Sequence, residues 1–257
     1  MSRILILDIE TAPNLAYVWR IWKENIGLNQ LREIGGILSF SAKWLGDDPT
    51  WYADVRMKGG EKAVLDLLLL LLNRADIVIA HNAKGFDIPT INARAIQHGM
   101  LPPSPYKVID TYIVAKKEFR FISNKLEHLA KALGCKEKLK HKNFPGFELW
   151  SECLAGNEKA WEELKKYNIQ DVVTLEEVYL KMRPWIRNHP NVGIDDGNST
   201  ASCPKCGSTH VHFRGYATTN AGKYRRFVCL DCGGWSRARF NEYPKQLRKE
   251  LLANIII

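Results

Sequence analysis

At 257 residues, 46% apolar and 25% charged, the chain has the size and composition for one large domain or a domain with an appendage, which excludes a low-complexity, disordered polymer. The formal charge is +9; residues 201–257 hold ten Lys and Arg against three acidic residues, a net of +7 that leaves +2 for residues 1–200. This end-loaded charge favours a polyanionic partner such as a nucleic-acid backbone over a merely solvated basic surface.

Residues 3–9 are nearly all apolar, as in a central strand buried on both faces. The spacing predicts two further strands, 37–44 and 50–55, joined by the turn Gly46-Asp47-Asp48-Pro49. A helix is expected over 61–73. Its leucine-rich stretch, Leu65 and Leu67 to Leu72, falls well short of the ~20 apolar residues of a membrane span. A strand over 76–80, a helix over 88–98 and a strand over 107–109 follow. Asn124 with Glu127 reads as a capping box opening the next helix, and a long helix is expected over 157–182. Residues 188–202, rich in Asn, Gly, Asp, Ser and Pro, read as a linker, and 223–228 as a basic, aromatic strand beyond it. The N-terminus has no basic-then-apolar leader pattern, so a cytoplasmic protein with no membrane association is expected.

Four acidic residues stand in three short motifs: Leu7-Asp8-Ile9-Glu10-Thr11, His81-Asn82-Ala83-Lys84-Gly85-Phe86-Asp87 and Tyr167-Asn168-Ile169-Gln170-Asp171. Asp8 and Glu10 are two apart on a predicted strand, so both carboxylates project from one face. Tyr167 and Asp171 are four apart on a predicted helix and share a face. Asp87 would complete a cluster of four carboxylates, whose mutual repulsion calls for bound cations. Hard divalent ions, Mg²⁺ or Mn²⁺, take such oxygen donors, and a pair of them suits phosphodiester hydrolysis.

Two Cys-x-x-Cys pairs, Cys203/Cys206 and Cys229/Cys232, are separated by 22 residues, and each is followed by glycine. This is zinc-ribbon spacing, with four thiolates for one tetrahedral Zn²⁺. Two disulfides are disfavoured in a reducing cytosol. Cys135 and Cys153 have no partner motif and read as inert thiols.

The acidic motifs resemble those of the DEDD, or DnaQ-like, 3′→5′ exonucleases over residues 1–187. The resemblance implies a ribonuclease H-like fold: a mixed five-stranded sheet flanked by helices, here followed by a linker (188–202) and a zinc ribbon with a basic tail (203–257). Tyr167, four residues before Asp171, matches the tyrosine branch; the histidine branch would place His where Lys166 stands. The wording between motifs, such as Ser41-Ala42-Lys43-Trp44-Leu45-Gly46 and Ser123-Asn124-Lys125-Leu126, is similar to stand-alone exonucleases often encoded by bacteriophages. The resemblance implies that Asp8, Glu10, Asp87 and Asp171 hold two Mg²⁺ or Mn²⁺, with Asp8 shared, and that Tyr167 and Glu10 orient the attacking water. The expected activity is stepwise release of nucleoside 5′-monophosphates from single-stranded 3′ ends of DNA. An RNA-trimming enzyme and a non-cleaving nucleic-acid adaptor are the alternatives.

Candidate nucleic-acid contacts are Trp19, Asn82, Arg214, Arg225, Arg226 and Arg237. Tyr17, Trp19 and Trp22 follow the first motif and either stack on bases or pack as an ordinary helix face. Asn82 either contacts substrate or caps the following helix. The four arginines are interleaved with Phe213, Tyr216, Tyr224, Phe227 and Trp235, a pattern suited to unpaired strands, although a small ribbon also needs aromatics for its core.

Overall fold

The computed structural model describes residues 2–48, 50–136, 143–194 and 201–252. The predicted linker falls partly, at 195–200, and the end of the C-terminal tail, 253–257, wholly, outside the described residues. The chain forms two compact units, Arg3–Tyr179 and Leu180–Ile257, the latter with the first two residues.

The described residues of the larger unit form seven strands and six α-helices: β1 (Ile4–Thr11), β2 (Leu15–Ala16), β3 (Leu31–Glu33), β4 (Ile37–Trp44), β5 (Trp51–Asp54), α1 (Gly60–Leu72), β6 (Ile77–Ala80), α2 (Asp87–Gln97), β7 (Lys107–Asp110), α3 (Thr111–Glu118), α4 (Leu126–Leu133), α5 (Glu148–Leu154) and α6 (Glu158–Met182). Five strands make one sheet in the order β5-β4-β1-β6-β7. β4 runs antiparallel to β1 and β5, while β6 is parallel to β1 and β7. This mixed sheet with β1 central is the ribonuclease H-like arrangement expected from the sequence.

Alternation along β1 divides its side chains. Leu5, Leu7 and Ile9 pack on one face with Phe40, Ala42 and the α1 leucines Leu65, Leu68 and Leu72. Ile6, Asp8 and Glu10 therefore project from the other. Their β4 partners are Lys43, Ser41 and Ser39, so this face carries a buried polar seam. The register slips between Glu10 and Thr11, and in that irregular stretch Leu38 packs with Leu149, Trp161 and Leu164 of α5 and α6. A buried ion pair between Lys43 and Glu176 clamps α6 to the seam, and Glu176 also accepts from the Gly46 amide at 2.8 Å. An ion pair in that setting fixes register more than it adds stability.

One expectation fails and one of two open alternatives falls away. The Asn124–Glu127 capping box does not form. Lys125 occupies the N-cap of α4 with no side-chain cap, and the Asn124 Oδ1 is buried without a hydrogen-bond partner. Residues 17–26 form no helix, so the ordinary helix face is not available to the aromatics there; Tyr17, Trp19 and Trp22 are all strongly exposed.

The second unit contains β8 (Val211–Thr219), β9 (Gly222–Cys229), β10 (Trp235–Arg237) and the short α7 (Lys245–Arg248). Its strands form an antiparallel sheet in the order β10-β9-β8. β8 bulges between Phe213 and Tyr216, where Gly215 has φ 76°. A left-handed conformation is open to glycine without strain. No described helix in either unit is long and apolar enough to cross a membrane.

Candidate active site and metal centres

The parallel strands β1, β6 and β7 bring the motif residues to their carboxyl ends, where open α/β sheets place their sites. Asp8 and Glu10 lie near the end of β1, and Asp87 opens α2 after the loop that leaves β6. Asp171 lies on α6 over the polar seam. Carboxylate oxygens of Asp8, Glu10 and Asp171 all lie within 4.8 Å of one another. An all-oxygen donor set this compact fits a hard divalent cation of the Mg²⁺ or Mn²⁺ type and does not fit a soft metal.

Asp87 is buried beside this group, and its Oδ1 accepts a long hydrogen bond, 3.4 Å, from the Ile9 amide between the two β1 carboxylates. Burial pushes its carboxyl up to about 7. The Asp110 charge adds to the rise, and backbone N–H donors, including that of Ile9, oppose it. A buried carboxylate that resists ionisation is one that a cation would stabilise.

Two residues without a predicted role grip the cluster. Asn168, fully buried on α6, donates from Nδ2 to Asp8 Oδ2 at 2.7 Å, and its Oδ1 accepts from Ser39 Oγ at 3.3 Å. The seam residue Ser39 thus orients the amide that orients Asp8. Trp150, on α5, donates from Nε1 to Glu10 Oε2 at 3.2 Å. Its ring also meets that of Tyr167 edge-on, with centroids 6.2 Å apart. Asn168 was legible only as a member of the third motif. Trp150 carried no signal at all.

Asp110 braces the loop before Asp87. Its Oδ1 caps α3 through the amides of Tyr112 and Ile113 and also accepts from the Asn82 amide at 3.1 Å, while Oδ2 accepts from the Lys84 amide at 3.0 Å. The carboxylate is used structurally here. Asn82 has φ 66°, which asparagine tolerates better than most residues. Its side chain does not cap α2, whose N-cap is Phe86. The loop is tight: a Cβ on Gly85 would lie 2.6 Å from Asn82 Oδ1.

In the second unit the sulfurs of Cys203, Cys206, Cys229 and Cys232 lie within 4.8 Å of one another. Cys203–Cys232 and Cys206–Cys229 are 3.7 and 3.6 Å apart, Sγ to Sγ. A tetrahedron with Zn–S of ~2.3 Å has edges of about 3.8 Å, so the group fits zinc and is far too open for disulfides. Gly207 and Gly233, after each second cysteine, have φ 78° and 73°, and their amides close the knuckles onto the Cys203 and Cys229 carbonyls at 2.8 and 3.0 Å. Burial is the largest influence on the Cys229 thiol and raises it. The Cys232 and Asp231 backbone amides and the neighbouring cysteines outweigh it and hold the thiol down at about 7.

The candidate nucleic-acid residues fare differently. Trp19 is 93% exposed. Arg225 is paired with Glu242 at 3.0 Å. The Arg226 guanidinium donates to the Arg214 carbonyl at 3.0 and 3.1 Å and lies over Trp235. Arg237 lies over Tyr224, 4.0 Å from its centroid, and Lys223 over Tyr216 at 4.2 Å. Phe213 packs edge-on against both Tyr216 and Phe227, so these rings serve the ribbon's own small core while remaining half-exposed.

Residues 24–183, more than half of the chain, match the family model described as the RNase_H superfamily. A comparison with curated proteins finds no match. Among solved structures, the family B DNA polymerase from the hyperthermophilic archaeon Pyrobaculum calidifontis is similar at 14% identity and a TM-score of 0.48, over 72% of this chain and 26% of that one. The chain thus spans about a quarter of the polymerase's length.

Proposed function

Because the chain belongs to the RNase H superfamily, we propose that it is a nuclease of the DEDD tyrosine branch, a metal-dependent 3′→5′ exonuclease acting on single-stranded 3′ ends of DNA and releasing nucleoside 5′-monophosphates. The observation that carries this reading is the convergence of Asp8, Glu10 and Asp171 within 4.8 Å at the carboxyl ends of parallel strands. Tyr167 stands one helical turn from Asp171. The direction of cutting rests on the resemblance of Tyr167-Asn168-Ile169-Gln170-Asp171 to the third motif of that branch.

In this reading Asp8, Glu10, Asp87 and Asp171 would together hold two Mg²⁺ or Mn²⁺. When bound, such a pair acidifies water and stabilises charge on the departing 3′ oxygen. The protein supplies position. Asn168 locks Asp8 in one rotamer, and Trp150 holds one oxygen of Glu10 so that the other is directed inward. Tyr167, packed on Trp150, aims its phenol at the attacking water, which Glu10 also orients. Burial of Asp87 keeps bulk solvent from that side of the cluster. The second unit binds one structural Zn²⁺ through Cys203, Cys206, Cys229 and Cys232 and assists the grip on nucleic acid. The proposed divisions are a nuclease domain over 1–187, a linker over 188–202 and the ribbon with its tail over 203–257. The kinship to phage-encoded exonucleases and a cytoplasmic location belong to the same proposal.

The test is degradation of end-labelled single-stranded DNA and RNA with Mg²⁺ or Mn²⁺, with either end blocked. Mononucleotide release from DNA that a 3′ block abolishes and a 5′ block spares is the expected result. Internal cutting, or loss on blocking the 5′ end, overturns the direction. Faster loss of RNA overturns the DNA preference.

A further inference from the structure

The positive charge of the first 200 residues is concentrated in one place. Residues 116–142 hold nine Lys and Arg against three acidic residues, a net of +6, which leaves −4 for the rest of residues 1–200. The nuclease unit therefore combines an acidic centre and a mildly acidic remainder with one basic segment. A polyanionic strand approaching carboxylates through water is repelled unless fixed cations lie on its path.

The fold ties the described part of that segment, residues 116–136, to the loop that carries Asp87. It follows Asp110, whose carboxylate holds the loop leading to Asp87 and caps α3. Lys116 and Lys117 stand in the last turn of α3, about 10 Å along the helix from that cap at 1.5 Å per residue. Arg120 lies in the extended connection, Lys125 at the N-cap of α4 and Lys131 in its last turn. All five are exposed, and among the described residues none is in an ion pair, whereas Lys136, further on, pairs with Glu177. Cations meant to neutralise their own surface would be expected beside carboxylates, as Lys43, Arg56 and Arg94 are. Between Arg120 and Lys125, Ile122 is 98% exposed, an apolar tip framed by charge.

We infer that the α3–α4 segment is a phosphate track on the nuclease unit itself: Lys116, Lys117, Arg120, Lys125 and Lys131 hold the nucleic-acid backbone beyond the reacting linkage, independently of the ribbon. This rests on the nuclease reading for the identity of the polyanion, and it divides the grip between two surfaces.

The experiment uses the full chain with Lys116→Gln, Lys117→Gln and Arg120→Gln combined. A control variant carries Lys58→Gln, Lys62→Gln and Arg74→Gln, an equal loss of exposed charge around α1. Binding of a fluorescent single-stranded oligonucleotide is measured in Ca²⁺ across a salt series, with hydrolysis of a chromogenic nitrophenyl ester of thymidine 5′-monophosphate in Mn²⁺ as a measure of the centre alone. With each contacted phosphate contributing ~0.7 to the slope for a single strand, the α3 variant is expected to lose about 2 from its log–log salt slope and at least tenfold in affinity near 0.1 M salt. Its ester hydrolysis should be unchanged, and the control should match wild type. Unchanged slope and affinity in the α3 variant, or equal losses in the control, overturn the track. A wild type that binds strands but hydrolyses neither ester nor strand overturns the nuclease reading while leaving the track to be judged by the binding data. If the combined variant is misfolded by circular dichroism, Lys125→Gln with Lys131→Gln must reproduce a slope loss of about 1.4 for the inference to stand.

Discussion

Replacing Asp8 by asparagine separates the two jobs of that residue. The amide is the same size as the carboxylate and keeps an oxygen to accept the 2.7 Å bond from Asn168, so the seam behind it stays paired. What is lost is one charge from a group whose oxygens lie within 4.8 Å of one another. At that separation and an effective dielectric of ~20, each carboxylate pair repels by about 3 kcal/mol. Asp8 and Glu10 are partly solvent-exposed, which reduces the net relief to about 1–3 kcal/mol. At roughly 2–4 °C per kcal/mol for a domain of this size, Asp8→Asn should melt about 2–12 °C above wild type in EDTA. Mg²⁺ or Mn²⁺ should then raise wild type, by binding the native state alone, and leave the variant nearly unmoved, while cleavage of labelled DNA is abolished. Asp8→Ala should also be inactive but gain less stability. It strips the Asn168 amide of a charged acceptor, a loss of ~1.5–3 kcal/mol, and leaves only the residue 8 carbonyl at 3.4 Å. The measurements are differential scanning calorimetry with and without metal and a gel assay. A metal-insensitive wild type, or an Asp8→Asn protein that still cuts, would refute the reasoning.

Asn168→Ala should lower kcat by about tenfold to a hundredfold, the worth of one hydrogen bond to a charged group, and weaken Mn²⁺ binding. An unchanged metal titration would make Asn168 only a packing residue. Tyr167→Phe and Trp150→Phe should each be milder than Asp171→Ala, because a misaimed water or glutamate is a smaller loss than an absent ligand; single-turnover rates in Mg²⁺ give the ranking. Cys203→Ser should release zinc, detectable with a chromogenic chelator, and unfold the ribbon sheet, while hydrolysis of the small nitrophenyl ester persists. Glu61 accepts from Arg94, His98 and the Ile37 amide. Burial works against its charge, but these donors hold its carboxyl down at about 2. Its contribution to stability is therefore full above the unfolded value near 4.5 and is lost as pH falls toward 2. The melting-temperature gap between wild type and Glu61→Gln should narrow over that window, and a gap constant from pH 6 to 2.5 would refute the assignment.

Much of this architecture was written locally. Period-two alternation is enough to put Asp8 and Glu10 on one face, because a strand has only two. Helical spacing is enough to stack Tyr167 on Asp171. The pairing within each cysteine knuckle is set by a span of three residues and a glycine turn. These features depend on neighbours, which the sequence displays directly. What it does not display is which distant side chain completes a local pattern. Trp150 reaches Glu10 across 140 residues and Asn168 reaches Asp8 across 160. Either contact exists only because the sheet and α5–α6 pack together. Asn124 had the chemistry of a cap but lies one residue too early, since the packing of Leu126 and Leu129 decides where α4 begins. Asp110, just past the predicted strand 107–109, offers a structural hydrogen-bonding carboxylate, and only the fold names its partners, the amides of Asn82, Lys84, Tyr112 and Ile113. Tyr17, Trp19 and Trp22 had the composition of a buried face, and tertiary structure left them in solvent. A residue's identity states what it can bond to; the closing of the fold decides which partner comes within a few ångströms.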